Sequence, residues 1–273
     1  MRTEKHFIFS FRISAFGFRI SGFGFATLLV LLCFTAYSQP FSALSTLAGY
    51  AGPGSADGST TNARFSNASA LALDSVGNLY IADTGNNTIR KMSPSGLVTT
   101  LAGMPGLSGS TNATGSSARF NQPEGLAVDA GGNIYVADTG NQAIRKITPA
   151  GAVSTLAGLA GVSGSADGPG NNARFSNPQG LAVDSATNIY VADYLNHTIR
   201  KISPAGVVST LAGLAGNYGT NDGVGTNAQF YLPAGVAADS SGNIYVADLG
   251  NNTIRKVTPV GAVTTLAGLA LTP

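Results

Sequence analysis

The 273-residue sequence has a single cysteine, Cys33, no tryptophan, and charged side chains at only 10% of its positions. One cysteine excludes an intrachain disulfide framework, so the fold must be held by packing and hydrogen bonds. Four of the fifteen basic residues (Arg2, Lys5, Arg12 and Arg19) lie in the first 25 positions, where Glu4 is the only one of the thirteen acids. The remainder is close to neutral. It therefore lacks the clustered Lys and Arg that displace counterions from phosphates, which argues against a nucleic-acid partner. Glycine is abundant, at 36 residues. It weakens helix interiors and serves tight turns, so the composition points to a turn-rich, all-β chain.

The basic start is followed by an apolar run from Phe25 to Phe34 and then by Ala36-Tyr37-Ser38 before Gln39. Small residues three places and one place before a break form a secretory cleavage pattern, so residues 1–38 read as a signal peptide cut after Ser38. The run falls short of the roughly 20 apolar residues a spanning helix needs, and no membrane association is expected once it is removed. The alternative is retention as an uncleaved anchor. Leu32 before Cys33 is too large for a lipoprotein site. FRISAFG at 11–17 and FRISGFG at 18–24 duplicate one another as low-complexity lead sequence. The expected location is secreted, cell-surface or periplasmic.

From there the chain repeats itself. TLAG begins at Thr46, Thr100, Thr155, Thr210 and Thr265, and Ala-Arg-Phe begins at Ala63, Ala118 and Ala173, with Ala228-Gln229-Phe230 as the fourth copy. A fixed period of about 55 residues identifies a repeat architecture. The units run over about 49–103, 104–158, 159–213 and 214–268, inside one domain at 39–273. In one unit, Gly125–Asp129 and Asn133–Asp138 are β-rich runs around a Gly-Gly turn. Ala143–Ile147 and Ala152–Leu156 follow across a Thr-Pro-Ala-Gly turn. Four antiparallel strands repeated in tandem describe a propeller blade. About twenty Gly-rich residues lead to the next.

The string PxGLAVDxxGNIYVADxxNxxIRKIxPxGxVxTLAG resembles the NHL repeat family, whose members fold as β-propellers, often with six blades. The resemblance covers essentially all of residues 44–268. It departs from the family in having four units and long inter-blade loops. The expected fold is thus a β-propeller of four 4-stranded blades, and its closure is the open point. Ala43–Ala48 is a fourth-strand sequence with no first three strands before it, while Gly235–Ala267 already supplies a complete last blade. The two ends compete for one outer slot. Either four blades close tightly with a surplus strand, the reading favoured here, or the chain is an arc completed by another copy as a homo-oligomer.

Propeller geometry places several recurring residues on one loop-rich face: Asp57, Asn112, Asp167 and Asp222 from the long loops, and Asp83, Asp138, Asp193 and Asp248 at the ends of the second strands. Asn86, Asn141, Asn196 and Asn251 follow three residues later. Asp and Asn serve turns well, and Arg90, Arg145, Arg200 and Arg255 recur as ion-pair partners, so the structural reading leads. The functional reading is a polar face that binds a protein or glycan, or a cation such as Ca²⁺ through oxygen ligands. Tyr80, Tyr135, Tyr190 and Tyr245, with Phe65, Phe120, Phe175 and Phe230, are expected to pack between blades.

Catalysis on a symmetric scaffold requires unlike groups, so the exceptions to the repeat matter most. Glu124 is an acid outside any recurring position, and His197 stands where Asn87, Gln142 and Asn252 stand elsewhere. Tyr194, Tyr218 and Tyr231 lie in or near the same two units. One histidine cannot build the multi-histidine zinc site of an amidating-lyase-like propeller, and one Glu is thin support for a gluconolactonase-like metal site. These exceptions read as drift on an exposed face. The expected function is a non-enzymatic, exported binding or scaffold propeller without a resident cofactor. The alternative is a metal-dependent hydrolase or lyase at the channel mouth.

Overall fold

The computed structural model describes residues 46–49 and 52–269. The apolar run, the Ser38 cleavage site, and the Ala43–Ser45 start of the surplus strand lie outside the described residues. Four antiparallel sheets follow in chain order. Blade 1 holds β1 (Gly58–Ser59), β2 (Ala68–Leu73), β3 (Leu79–Asp83), β4 (Thr88–Met92) and β5 (Leu97–Ala102). Blade 2 holds β6 (Pro123–Val128), β7 (Ile134–Asp138), β8 (Ala143–Ile147) and β9 (Val153–Gly158). Blade 3 holds β10 (Gly168–Pro169), β11 (Pro178–Val183), β12 (Ile189–Asp193), β13 (Thr198–Ile202) and β14 (Val207–Ala212). Blade 4 holds β15 (Gly223–Val224), β16 (Pro233–Ala238), β17 (Ile244–Asp248), β18 (Thr253–Val257) and β19 (Ala262–Ala267). Among the described residues no helix is long and apolar enough to cross a membrane.

Local chemistry explains the turns. Between β6 and β7, Asp129 accepts hydrogen bonds from the Asn133 backbone N–H at 2.9 Å and from the Tyr135 hydroxyl at 2.9 Å. Asp74, Asp184 and Asp239 do the same work in the other blades. Burial pushes the Asp129 carboxyl up, but these hydrogen bonds outweigh it and hold the group below the ordinary carboxylate range. The tyrosine hydroxyl moves the other way: Tyr190, desolvated and bonded to Asp184, is pushed up to about 12. Between the second and third strands a short 3₁₀ turn ends on a left-handed residue: Asn87, Gln142, His197 or Asn252, with φ of 57° to 59°. Asn accepts this conformation more readily than most residues.

The four-stranded blade is incomplete as a description in three of the four units. Two residues of each long loop return to pair with the outer strand of their own blade, Gly58–Ser59 against Leu97–Val98, Gly168–Pro169 against Val207–Val208, and Gly223–Val224 against Ala262–Val263. In blade 2 this shrinks to a single bridge between Thr114 and Ala152. The loop thereby covers an outer edge that would otherwise present unpaired backbone groups. A two-residue strand carries no alternation for a sequence pattern to show.

The core lies between blades. Tyr80, Ala82, Ile89 and Ala102 of blade 1 pack on Phe120, Leu126, Ile134, Val136 and Ile147 of blade 2, and the two later junctions repeat the arrangement. Tyr80, Tyr135, Tyr190, Phe120, Phe175 and Phe230 thus fill the wedges between blades, as the repeat implies, whereas Tyr245 and Phe65, on the two end blades, are only half-buried. β2 lies beside β6, β6 beside β11, and β11 beside β16, but β16 makes no comparable return to β2. Leu71 and Leu73 on the outer side of blade 1 are 63% and 64% exposed, and Ile254 and Leu266 on the far side of blade 4 are 43% and 51% exposed. This corrects the favoured closed ring of four blades: the four blades of the described residues form an open propeller arc. Each blade is a wedge whose angle follows from its packing, and four such wedges do not span a full turn.

Candidate functional site

The recurring polar residues form four copies of one network. Asp138, at the end of β7, is completely buried; its Oδ1 accepts the Asn121 backbone N–H at 2.7 Å, and its Oδ2 accepts Asn141 at 2.8 Å and the Arg145 guanidinium at 2.7 Å. Arg145 also donates to the carbonyls of Arg119 and Thr111 and to Asn112 Oδ1 at 2.8 Å, while its guanidinium lies 5.3 Å from the centre of the Phe120 ring. Asn141 donates to the Gly109 carbonyl at 2.6 Å. The long loop is therefore tied to its blade by one arginine and one asparagine.

In the other blades the loop residue is an aspartate: Asp57 bonds Arg90, Asp167 bonds Arg200 and Asp222 bonds Arg255, at 2.6 to 2.8 Å. Asp83, Asp193 and Asp248 bond the same guanidiniums from the buried side at 2.7 to 2.8 Å. Asn86, Asn196 and Asn251 hold the matching places beside them. Burial pushes the Asp193 carboxyl up to about 6 against the pull of Arg200 and Asn196, and raises Asp138 and Asp248 in the same direction. The oxygens that the sequence offers to a cation are turned toward guanidinium and amide hydrogens. Burial of an ion pair is costly unless its remaining hydrogen-bonding positions are filled, and here nearly all of them are. The exception is Nε of each of the four arginines, which has no acceptor among the described residues.

Two places break the symmetry. The first is a cleft of about 350 Å³ where the four inner strands face one another, lined by Ser69, Glu124, Gln179 and Ala234 with Leu126 and Leu181. Ser69, Glu124, Gln179 and Ala234 occupy one repeat position in four blades, so four different side chains meet at a single level of the channel. Burial raises the Glu124 carboxyl above its ordinary value. Sequence reasoning found Glu124 and missed Ser69 and Gln179; comparing that one register position across the units would have revealed them.

The second lies on the loop-rich face at the junction of blades 3 and 4. His197, Tyr218 and Tyr231 form an aromatic cluster: each tyrosine ring centre is 5.6 Å from the imidazole, and the two tyrosines are 4.8 Å apart at an interplanar angle of 30°. The rings come from three repeat positions, occupied elsewhere by Asn or Gln, by Ser or Pro, and by Ser or Asn. Tyr218 is 61% exposed. His197 Nδ1 accepts the Leu232 backbone N–H at 3.2 Å, and desolvation lowers its pKa, which favours the neutral ring. Sequence reading took these exceptions for drift; the fold brings three of them into contact. Tyr194, the fourth, makes no ring contact with them.

The blade pattern also matches known proteins. The family described as NHL repeat matches residues 120–147, 175–202 and 230–257. The chain carries NHL repeats. Each matched NHL segment runs from the wedge phenylalanine to the last residue of the third strand. The first unit departs where Ala68 and Ala70 replace the proline and glycine of the others. Over 195 residues the NHL region is 33% identical to the Protein SUPPRESSOR OF QUENCHING 1, chloroplastic, of Arabidopsis thaliana, covering 66% of this chain and 18% of that protein. Among solved structures it resembles an auxiliary nutrient binding protein from Bacteroides ovatus, with a TM-score of 0.57, 22% identity, and coverage of 76% of this chain and 50% of that one. It also resembles virginiamycin B lyase from Staphylococcus aureus, with a TM-score of 0.54, 15% identity, and coverage of 76% and 58%. At these identities the solved structures show a shared propeller fold. The chain spans less than a fifth of the length of the plant relative.

Proposed function

We propose that this NHL propeller is a non-enzymatic binding module that holds a glycan on its loop-rich face, and that it acts outside the cytoplasm. The observation that carries the reading is the His197–Tyr218–Tyr231 cluster. The recurring Asp, Asn and Arg side chains are consumed in holding the loops, whereas these three rings converge at one junction and leave an open tyrosine face. Aromatic rings with a polar edge offer a sugar both an apolar surface and hydrogen bonds. The nutrient-binding protein with the same fold is in keeping with a binding role, and the N-terminal segment with export.

The test uses a glycan array and titration of the exported protein. Binding that falls at least tenfold in Tyr218→Ala, with an unchanged melting temperature, supports the reading. Capture of a protein partner instead, with no glycan bound, replaces it with a protein-binding one. An N-terminus at Gln39 on the exported protein supports cleavage after Ser38.

A second reading is a hydrolase or lyase at the channel cleft, favoured by the desolvated Glu124 beside Ser69 and Gln179. Among the described residues no three His, Cys, Asp or Glu side chains are grouped so as to hold a metal ion. Turnover of a lactone or peptide that is lost in Glu124→Gln would establish this reading and displace the first.

A further inference from the structure

The two exposed ends of the arc are the two halves of a junction that the chain already makes three times. At each internal junction, one blade contributes an alanine-rich face with a central isoleucine, and the next contributes isoleucine and valine with a leucine, or in blade 4 Val236, on the inner strand. Ile89, Ile144 and Ile199 are fully buried there, as are Leu126 and Leu181 to within 7%. Their counterparts at the two ends are Ile254 at 43% exposure and Leu71 at 63%.

A polar peg accompanies the apolar contact. Asn87 Oδ1 accepts the Gln122 backbone N–H at 2.8 Å, Gln142 Oε1 accepts that of Asn177 at 2.6 Å, and His197 Nδ1 accepts that of Leu232. The fourth peg is Asn252, in the same left-handed conformation, and the fourth socket is Asn67, whose φ of 51° matches the 49° to 54° of Gln122, Asn177 and Leu232. Both are exposed, and neither the Asn252 side chain nor the Asn67 N–H has a partner among the described residues.

We propose that blade 4 of one copy docks head to tail on blade 1 of a second copy, with Asn252 capping Asn67 and Ile254 seated against Leu71 and Leu79. The occupant is a second copy because the face that fits each end, position by position, is the chain's own opposite end. Lys256, over the Tyr245 ring, is a charged side chain on the blade 4 face, but its counterparts Lys91, Lys146 and Lys201 stay partly exposed at the internal junctions, so docking need not desolvate it fully. A head-to-tail contact closes when the rotation permits, and two arcs of four blades make a ring of eight, within the range of known propellers. The outer lane of blade 1 is already lined by Ala48 and by Gly49, which faces the Phe65 ring as Gly103 faces that of Phe120. The contact therefore rests on β16, β17 and β18, and either Leu47–Gly49 or the docking copy's Leu266–Gly268 yields that lane.

Light scattering on the full chain, recovered as exported, tests the proposal across a concentration series. The expected mass is twice that of one chain, falling toward one on dilution. Leu71→Glu and Ile254→Glu should each give single chains. An equimolar mixture of the two variants should recover a 1:1 pair, because one junction then joins two intact faces. Leu71→Ser and Ile254→Ser, milder changes at exposed positions, serve if either charged variant misfolds. Single-chain mass at all concentrations, or an oligomer that both substitutions leave intact, would overturn the proposal.

Discussion

Asp138 and Asp57 both bond a buried guanidinium, yet their surroundings differ: Asp138 is fully buried and is the only carboxylate on Arg145 among the described residues, whereas Asp57 is about half exposed and shares Arg90 with Asp83. Asp138→Ala leaves a buried cation uncompensated and should cost about 3–5 kcal/mol in urea denaturation. Asp57→Ala should cost about 1 kcal/mol or less, because solvent screens that pair. A loss of ligand binding in Asp138→Ala at unchanged stability would contradict the structural role. His197 gives a pH signature. Its folded pKa is depressed, so the unfolded chain binds more protons as pH falls below its own pKa of about 6.5. The stability it contributes is complete above that value and is lost as pH falls through it toward the lower folded value. His197→Gln installs the residue of blade 2. Asp193, pushed up to about 6, acts with the opposite sign in the same range, so the check is the difference between the two proteins. Thermal melts should show the parent losing stability relative to His197→Gln from pH 7.5 to 5.

At the level of elements, each outer strand ends in a TLAG glycine with φ between 90° and 94°. A Cβ at Gly158 would stand 2.6 Å from the Gln142 carbonyl and 2.9 Å from the Ala143 Cα, whereas at Gly161, with φ of 76°, it would meet nothing within 4 Å. Gly158→Ala should therefore cost well over 1 kcal/mol, and Gly161→Ala only the penalty of the left-handed conformation, about 1 kcal/mol. Urea midpoints of the two variants check the order. The strands and turns of a unit were legible because alternating runs and Gly or Pro punctuation recur four times. The fifth strand was not, since Gly58–Ser59 and its counterparts are defined by what they pair with.

For the whole molecule, nearest-neighbour packing makes the end blades the weak ones, since each has a single junction. Hydrogen exchange in dilute protein should be slowest in β7, β8, β12 and β13 and faster in blades 1 and 4. Uniform protection across the four blades at a concentration where the protein is a single chain would contradict this ordering.

The repeat alone determined the all-β blades, the wedge aromatics, and the pairing of each recurring arginine with the aspartate that ends the second strand, because periodic side chains meet periodic partners and one unit explains the rest. Tertiary structure decided what depends on summing the units. It set an open arc rather than a closed ring, since closure depends on an accumulated angle that no single unit encodes. It also gathered His197, Tyr218 and Tyr231 from three different repeat positions, and Ser69, Glu124 and Gln179 from three different blades. The three rings are 13 to 34 residues apart and share no period until the blades pack, whereas Ser69, Glu124 and Gln179 sit one 55-residue period apart and differ only in side chain.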